Sequence, residues 1–200
     1  MLRERTCTST VEKAKLNRAV FLDLNGTLVL PLKQESLAEM TLIPGVDFAV
    51  KRLLAAGFIC PVVTVQARIE KGLFTEAEFH AWFADFFGKL GLDLKGPYVC
   101  PHRYDHPCPC EKPNRFLYDQ AASDLFLDLS RCYIIGDSPQ DVEAAQRFGG
   151  LGCLVRTGWA ADDKVVRQAG DAAAFVGDTV SDVADWILRV ERRIGNGLMR

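Results

Sequence analysis

The chain has 200 residues, 48% of them hydrophobic, and its 24 basic and 26 acidic residues give a net charge of −2. This suits a single globular unit. No basic run marks nucleic acid as a partner, and no unbroken apolar stretch approaches the ~20 residues of a membrane span.

Residues 1–18 are polar and mixed in charge, with no apolar centre, so a mobile tail in a cytosolic protein is expected rather than a secretory signal. Ala19 opens a short apolar run that reads as a buried parallel strand. The run ends on Asp23, and Gly26 turns the chain. In open α/β sheets ligands sit outside the carboxyl ends of strands. Asp23 is therefore a carboxylate placed to ligate a hard cation or attack phosphorus, or else an ordinary acid at a strand-to-turn junction. Val29 to Thr41 lacks periodicity and reads as a loop or short hairpin. Val46, Ala49, Val50, Leu53 and Leu54 recur at helical spacing up to Gly57. Phe58 to Val65 is a second strand, ending near Thr64. Thr75 caps a helix whose Phe79, Trp82, Phe83, Phe86, Phe87 and Leu90 form one face, core far more often than a cofactor box.

Gly96 to Cys100 reads as a short third strand, and Pro101 to Pro113 carries four prolines and cannot be regular. Asn114 to Leu127 is a helix and Cys132 to Gly136 a fourth strand. Ser138 and Pro139 fit the cap and first position of the next helix, which stops at Gly149. Gly152 to Val155 and Ala173 to Val176 are further strands, and Val180, Val183, Ala184, Ile187 and Leu188 share a face of the last helix. Residues 195–200 are expected to fray. Strands alternating with helices predict an α/β fold, a doubly wound parallel sheet in one domain over 19–194.

Four polar groups fall at strand ends or helix starts: Asp23, Thr64, Lys112 and Asp137, with Asp141 one helical turn after Asp137. Phosphoryl transfer needs a nucleophile, a divalent cation and donors to the phosphoryl oxygens. Asp23 and Asp137 could hold Mg²⁺, while Thr64 and Lys112 bind phosphate. Cys100-Pro-His102 and Cys108-Pro-Cys110 offer three thiolates and an imidazole, a full tetrahedral set for structural Zn²⁺. His106 is a rival ligand. Of the seven cysteines, Cys60, Cys132 and Cys153 lie in apolar runs and read as buried and inert. Cys7 is left over, and His80 reads as a helix-surface residue.

The order Asp23-Leu-Asn25-Gly-Thr27, Thr64, Lys112, Gly136-Asp137-Ser-Pro-Gln-Asp141 resembles the haloacid dehalogenase (HAD) superfamily of phosphatases. Val62-Val-Thr-Val-Gln66, Gly72-Leu-Phe-Thr75 and Cys110-Glu-Lys-Pro113 look like its heptose 1,7-bisphosphate and histidinol-phosphate phosphatase branch, which also has a zinc loop in which His102 fits better than His106. The resemblance implies a Mg²⁺-dependent phosphatase of a small phosphate ester, a sugar phosphate, acting through an aspartyl-phosphate on Asp23. Thr64 and Lys112 would hold the phosphoryl group, and Asp23, the Asn25 carbonyl and Asp137, supported by Asp141, the magnesium. Gln66, Arg68 and Glu111 would be substrate contacts. The gaps flanking Thr64 leave no room for a separate cap domain, so an open site walled mainly by the zinc loop is expected.

Four positions depart from the pattern. Asn25 replaces the acid–base Asp, Glu111 an Arg, Ser138 the Lys of the heptose enzymes, and Val65 an Asn. The changes at 111 and 138 remove positive charge and disfavour a second phosphate. Asn25 leaves two readings, a weakened phosphatase or a phosphate-ester-binding pseudoenzyme.

Overall fold

A computed structural model describes residues 16–33, 35–103 and 107–197. Most of the expected tail, Cys7, His106 and the last three residues lie outside the described residues. Asn17 and Arg18, read as part of the tail, are tied down. The Asn17 N–H donates to the Phe126 carbonyl at 2.8 Å, and Arg18 ion-pairs with Glu191.

Six strands form one parallel sheet: β1 (Val20–Leu22), β4 (Cys60–Val65), β5 (Leu94–Cys100), β6 (Tyr133–Gly136), β7 (Leu151–Val155) and β8 (Phe175–Gly177), in the order β5-β4-β1-β6-β7-β8. Between β1 and β4 lie a two-stranded antiparallel hairpin, β2 (Val29–Leu30) and β3 (Thr41–Leu42), and helix α1 (Val46–Ala55). The undecided segment is thus a hairpin, and neither gap flanking Thr64 holds a further folded layer among the described residues.

Side chains alternate across the central strands, as a pleated sheet covered on both sides requires. Val20, Leu22 and Ile135 face one core with α1, α2 (Glu76–Lys89) and α6 (Val180–Gly195). Phe21, Val63 and Ile134 face the other, with α3 (Phe116–Leu125) and α4 (Pro139–Phe148). The aromatic stripe of α2 is core: Phe79, Phe83 and Phe87 are buried, with Trp82 and Phe86 packed against them. Its start is fixed by a reciprocal cap, Glu78 N–H to Thr75 Oγ1 at 3.1 Å and Thr75 N–H to the Glu78 carboxylate at 2.7 Å. Cys60, Cys132 and Cys153 are buried, and burial pushes the Cys60 and Cys153 thiols up to about 12.

Sequence patterning gave no element between β7 and β8, where a 3₁₀ turn (Trp159–Ala161) precedes α5 (Asp163–Ala169). Too short to show an apolar period, α5 was marked only by Asp162, whose carboxylate accepts the Lys164 N–H at 2.8 Å. No helix among the described residues is long and apolar enough to cross a membrane.

Candidate active site

The chain leaves β1 toward β4 and β5, then returns to β6 on the other side of β1. The carboxyl ends of β1 and β6 therefore flank the point where strand order reverses, the place such sheets keep for ligands. Leu22 pairs with Ile135, so Asp23 and Asp137, the residues just beyond these strands, come together. The Asp23 N–H donates to the Ile135 carbonyl at 2.9 Å.

Lys112 reaches this point from the segment before α3. Its Nζ donates to Asp23 Oδ1 at 2.6 Å and to Asp141 Oδ1 at 2.8 Å. The Lys112 and Asp141 side chains are 7% and 1% exposed, so the ion triad is shielded from water. Asp141 is held from behind, its Oδ2 accepting the Ser138 hydroxyl at 2.6 Å and the Ser138 N–H at 3.2 Å. Burial alone would push the Lys112 ammonium down, but Asp141 and Asp23 outweigh it and hold it well above its usual range.

Burial also raises Asp23 to about 6, although Lys112 pulls it back. Asp137 rises to about 8, first through burial and then through repulsion from Asp23 and Asp141, against the Trp159 N–H that donates to its Oδ2 at 2.7 Å. Three carboxylates around one ammonium leave the site short of positive charge. A divalent cation held by oxygen ligands fits that deficit.

Glycines let the backbone close around these acids. A Cβ on Gly26 (φ +89°) would lie 2.2 Å from Asp137 Oδ2, and one on Gly158 only 1.8 Å from it. Asn25 is fixed as an amide: its Nδ2 donates to the Pro31 carbonyl at 3.1 Å, and its Oδ1 accepts from Gln66 Nε2 at 2.8 Å. Gln66 Nε2 also lies 3.0 Å from Thr64 Oγ1.

Asp23, Asn25, Thr64, Lys112 and Asp137 open onto a cavity of about 810 Å³. Arg68, Lys71, Lys33 and Glu111 also line it. A second cavity, of about 640 Å³, lies at the amino ends of the strands beside Arg18 and Phe58, away from these acids. There Arg18 is spent on Glu191 and on the Ala56 carbonyl that closes α1.

Cys100, His102, Cys108 and Cys110 also converge, with their ligating atoms within 4.8 Å of one another. Cys100 Sγ lies 3.5 Å from Cys108 Sγ and 3.1 Å from Cys110 Sγ, and His102 Nδ1 3.2 Å from Cys110 Sγ. These are near the ~3.5–3.8 Å edges of a tetrahedron with Zn–S and Zn–N bonds of about 2.3 and 2.0 Å. None of the three thiols is in a disulfide.

Residues 109–183 match the model of the HAD-hydrolase-like family. The D-glycero-beta-D-manno-heptose-1,7-bisphosphate 7-phosphatase of Yersinia pestis is 34% identical over 182 residues, covering 85% of this chain and 89% of its own. The chain belongs to the HAD phosphatases. The phosphatase of the same name from Vibrio cholerae is 32% identical over 189 residues, covering 87% of this chain and 98% of its own. The crystal structure of the D,D-heptose 1,7-bisphosphate phosphatase of B. bronchiseptica, complexed with magnesium and phosphate, has a TM-score of 0.75 at 27% identity and covers 87% of this chain and 99% of that one.

Within this HAD phosphatase two expectations change. Gln66, expected to touch substrate, is fully buried, and its amide is spent on Asn25 and Thr64. Nor is the Cys/His loop the main wall among the described residues. It contributes Glu111 and Lys112 to the cavity, which is walled by Leu32, Lys33 and Glu35 of the hairpin, Ala67 to Leu73 after β4, and Trp159, Val165 and Gln168. Trp159 was missed. Its signal was position, because it stands just beyond the carboxyl end of β7, next to β6 in the sheet.

Proposed function

We propose that the chain is a Mg²⁺-dependent phosphomonoester hydrolase acting on a small phosphorylated sugar through a phosphorylated Asp23. What carries this reading is the buried Asp23–Lys112–Asp141 triad beside Asp137 at the carboxyl ends of β1 and β6. An Asp23 carboxylate oxygen attacks phosphorus, and the leaving oxygen departs with the electron pair of the P–O bond and takes its proton from solvent water to become the alcohol. Lys112 and Thr64 donate to the phosphoryl oxygens. Water then attacks the same phosphorus, releasing phosphate and restoring Asp23. Asp23, the Asn25 carbonyl and Asp137 would hold magnesium, with Asp141 in support, and the ion would supply Lewis-acid charge at the phosphoryl oxygens. Structural zinc on Cys100, His102, Cys108 and Cys110 would fix the loop that delivers Lys112. We place the protein in the cytosol, where these thiols stay reduced.

The relatives' names point to a heptose bisphosphate. In this chain Glu111 and Ser138 line the cavity, at positions where the resembling branch carries Arg and Lys, so we assign a sugar monophosphate. One observation favours a second reading, a phosphate-ester-binding protein without turnover: the Asn25 amide has no acid proton to give.

Acetyl phosphate separates the two, because its leaving group needs no proton. Without a base at position 25, the phosphoryl group should accumulate on Asp23, visible by mass spectrometry of acid-quenched protein and lost with Asp23→Asn or EDTA. Phosphate binding without any Asp23 adduct would select the second reading.

A further inference from the structure

Phosphoryl chemistry at the cavity floor leaves the leaving group pointing toward the mouth, past a wall in which apolar side chains stand among Lys33, Arg68, Lys71 and Glu111. Leu32, Leu73, Pro139, Trp159 and Val165 all line the cavity. Trp159 stands out. It is 47% exposed, and its backbone is anchored twice to the floor, since its N–H donates to Asp137 Oδ2 at 2.7 Å and the next N–H, of Ala160, donates to the Asp137 carbonyl at 2.9 Å. Gly158 lets this approach happen, as even a methyl there would strike Asp137. The indole is thus held one residue from an acid of the phosphoryl site. From the hairpin, Lys33 places its Nζ 5.6 Å from the centroid of the indole ring, and both side chains line the cavity.

The indole keeps about half of its surface exposed. Fixed beside a phosphate site, with a lysine beside it, it makes a platform for a flat body. We infer that Trp159 is a specificity-determining residue that stacks against a ring in the leaving group, with Lys33 beside it on the cavity lining, so that the substrate class is a ring-bearing phosphate monoester rather than an open-chain one. This rests on the phosphatase reading and narrows it. The ring is a sugar or aromatic ring close to the ester oxygen, because Trp159 is tethered to Asp137. Glu111 keeps the rim beside Lys112 free of a second phosphate.

Non-hydrolysable phosphonates test this without turnover. Calorimetry with magnesium present measures inorganic phosphate, propylphosphonate and benzylphosphonate binding to the wild-type chain, Trp159→Ala and Trp159→Phe. The expected result is a wild-type preference for benzylphosphonate over propylphosphonate of about tenfold or more, the scale of an aromatic stacking contact with its buried area. That ratio should fall to near parity in Trp159→Ala and largely persist in Trp159→Phe. If phosphate binds and the ratio is already near one, or does not move on Trp159→Ala, the platform is wrong and the phosphatase reading stands. A Trp159→Ala loss equal for all three ligands would likewise overturn it, by showing only a structural role. If not even phosphate binds, the phosphatase reading falls and takes the platform with it. Should Trp159→Ala not fold, Trp159→Leu, which keeps apolar bulk without a flat face, is held to the same ratio.

Discussion

The phosphoryl floor and the Cys/His cluster are both polar constellations, and they are built in opposite ways. Every group of the floor already meets a partner within the fold. Lys112 lies between Asp23 and Asp141, Asp141 is capped by Ser138, Asp137 accepts from Trp159, and the strand ends dictate where each begins. In the cluster only Cys100 belongs to a strand. The other ligands come from a proline-rich stretch without regular structure, and the thiols mainly face one another. Burial, with the neighbouring thiols, pushes the Cys100 thiol far above its usual range. The floor is organised by sheet topology; the cluster brings four candidate metal ligands within 4.8 Å of one another without such a frame. The two meet within Cys110-Glu111-Lys112, so a loop with a candidate metal-ligand set runs directly into the lysine of a site ordered by the fold.

Removing the metal should break this contrast most sharply. Structural zinc binds with about 10–16 kcal/mol in small zinc peptides, while here the sheet has its own core. Purified protein should carry one zinc per chain by metal analysis. Exhaustive chelation under reducing conditions, followed by restoring magnesium alone, should leave a cooperative far-UV melt and abolish phosphate binding. A zinc-free preparation with reduced thiols and full phosphate affinity would show that Lys112 needs no help from the loop.

Next in size is the lysine itself. Lys112→Met leaves Asp23 and Asp141 buried without their cation, and breaking such a pair typically costs about 3–5 kcal/mol. Urea denaturation of the metal-free floor measures it; a loss under about 1 kcal/mol would mean that water reaches the triad.

The smallest effect concerns the residue between the two regions. In an Asn25→Asp background, Glu111→Arg exchanges negative for positive charge at the cavity edge. It should raise kcat/KM for a sugar bisphosphate relative to the monophosphate several-fold, on the order of 1 kcal/mol for a partly exposed charge. An unchanged ratio would mean that Glu111 does not face the substrate.

The floor was legible in the sequence because its residues sit at boundaries, where an apolar run meets an acid or a cap. Asp23, Thr64, Asp137 and the Ser138-Pro139 helix start all announce themselves in this way. The three cysteines were legible from residue type, while the choice of His102 over His106 came from the resemblance to the phosphatase branch; the four side chains converge in the structure. What escaped depends on how distant segments meet. Gln66 carries no local sign that it is buried against Asn25 and Thr64. Neither Trp159 nor Lys33 shows in sequence that the hairpin and the turn after β7 share a mouth. Helix α5, one cap and two turns, has no apolar period to read.

The central claim is that this phosphatase keeps its phosphoryl floor and lacks the proton-transfer group at position 25. An aspartate there could keep both Asn25 contacts only when protonated, donating to the Pro31 carbonyl while accepting from Gln66, which is the state a general acid needs. The decisive measurement is kcat on an alkyl phosphate with magnesium for fresh wild-type protein and Asn25→Asp, with peptide mapping to show that Asn25, which precedes Gly26, has not deamidated. General acid–base catalysis is commonly worth about 10²–10⁴-fold, so Asn25→Asp should gain by that factor. Equal rates from wild-type protein with intact Asn25 would mean that another group supplies the proton, and would contradict the account.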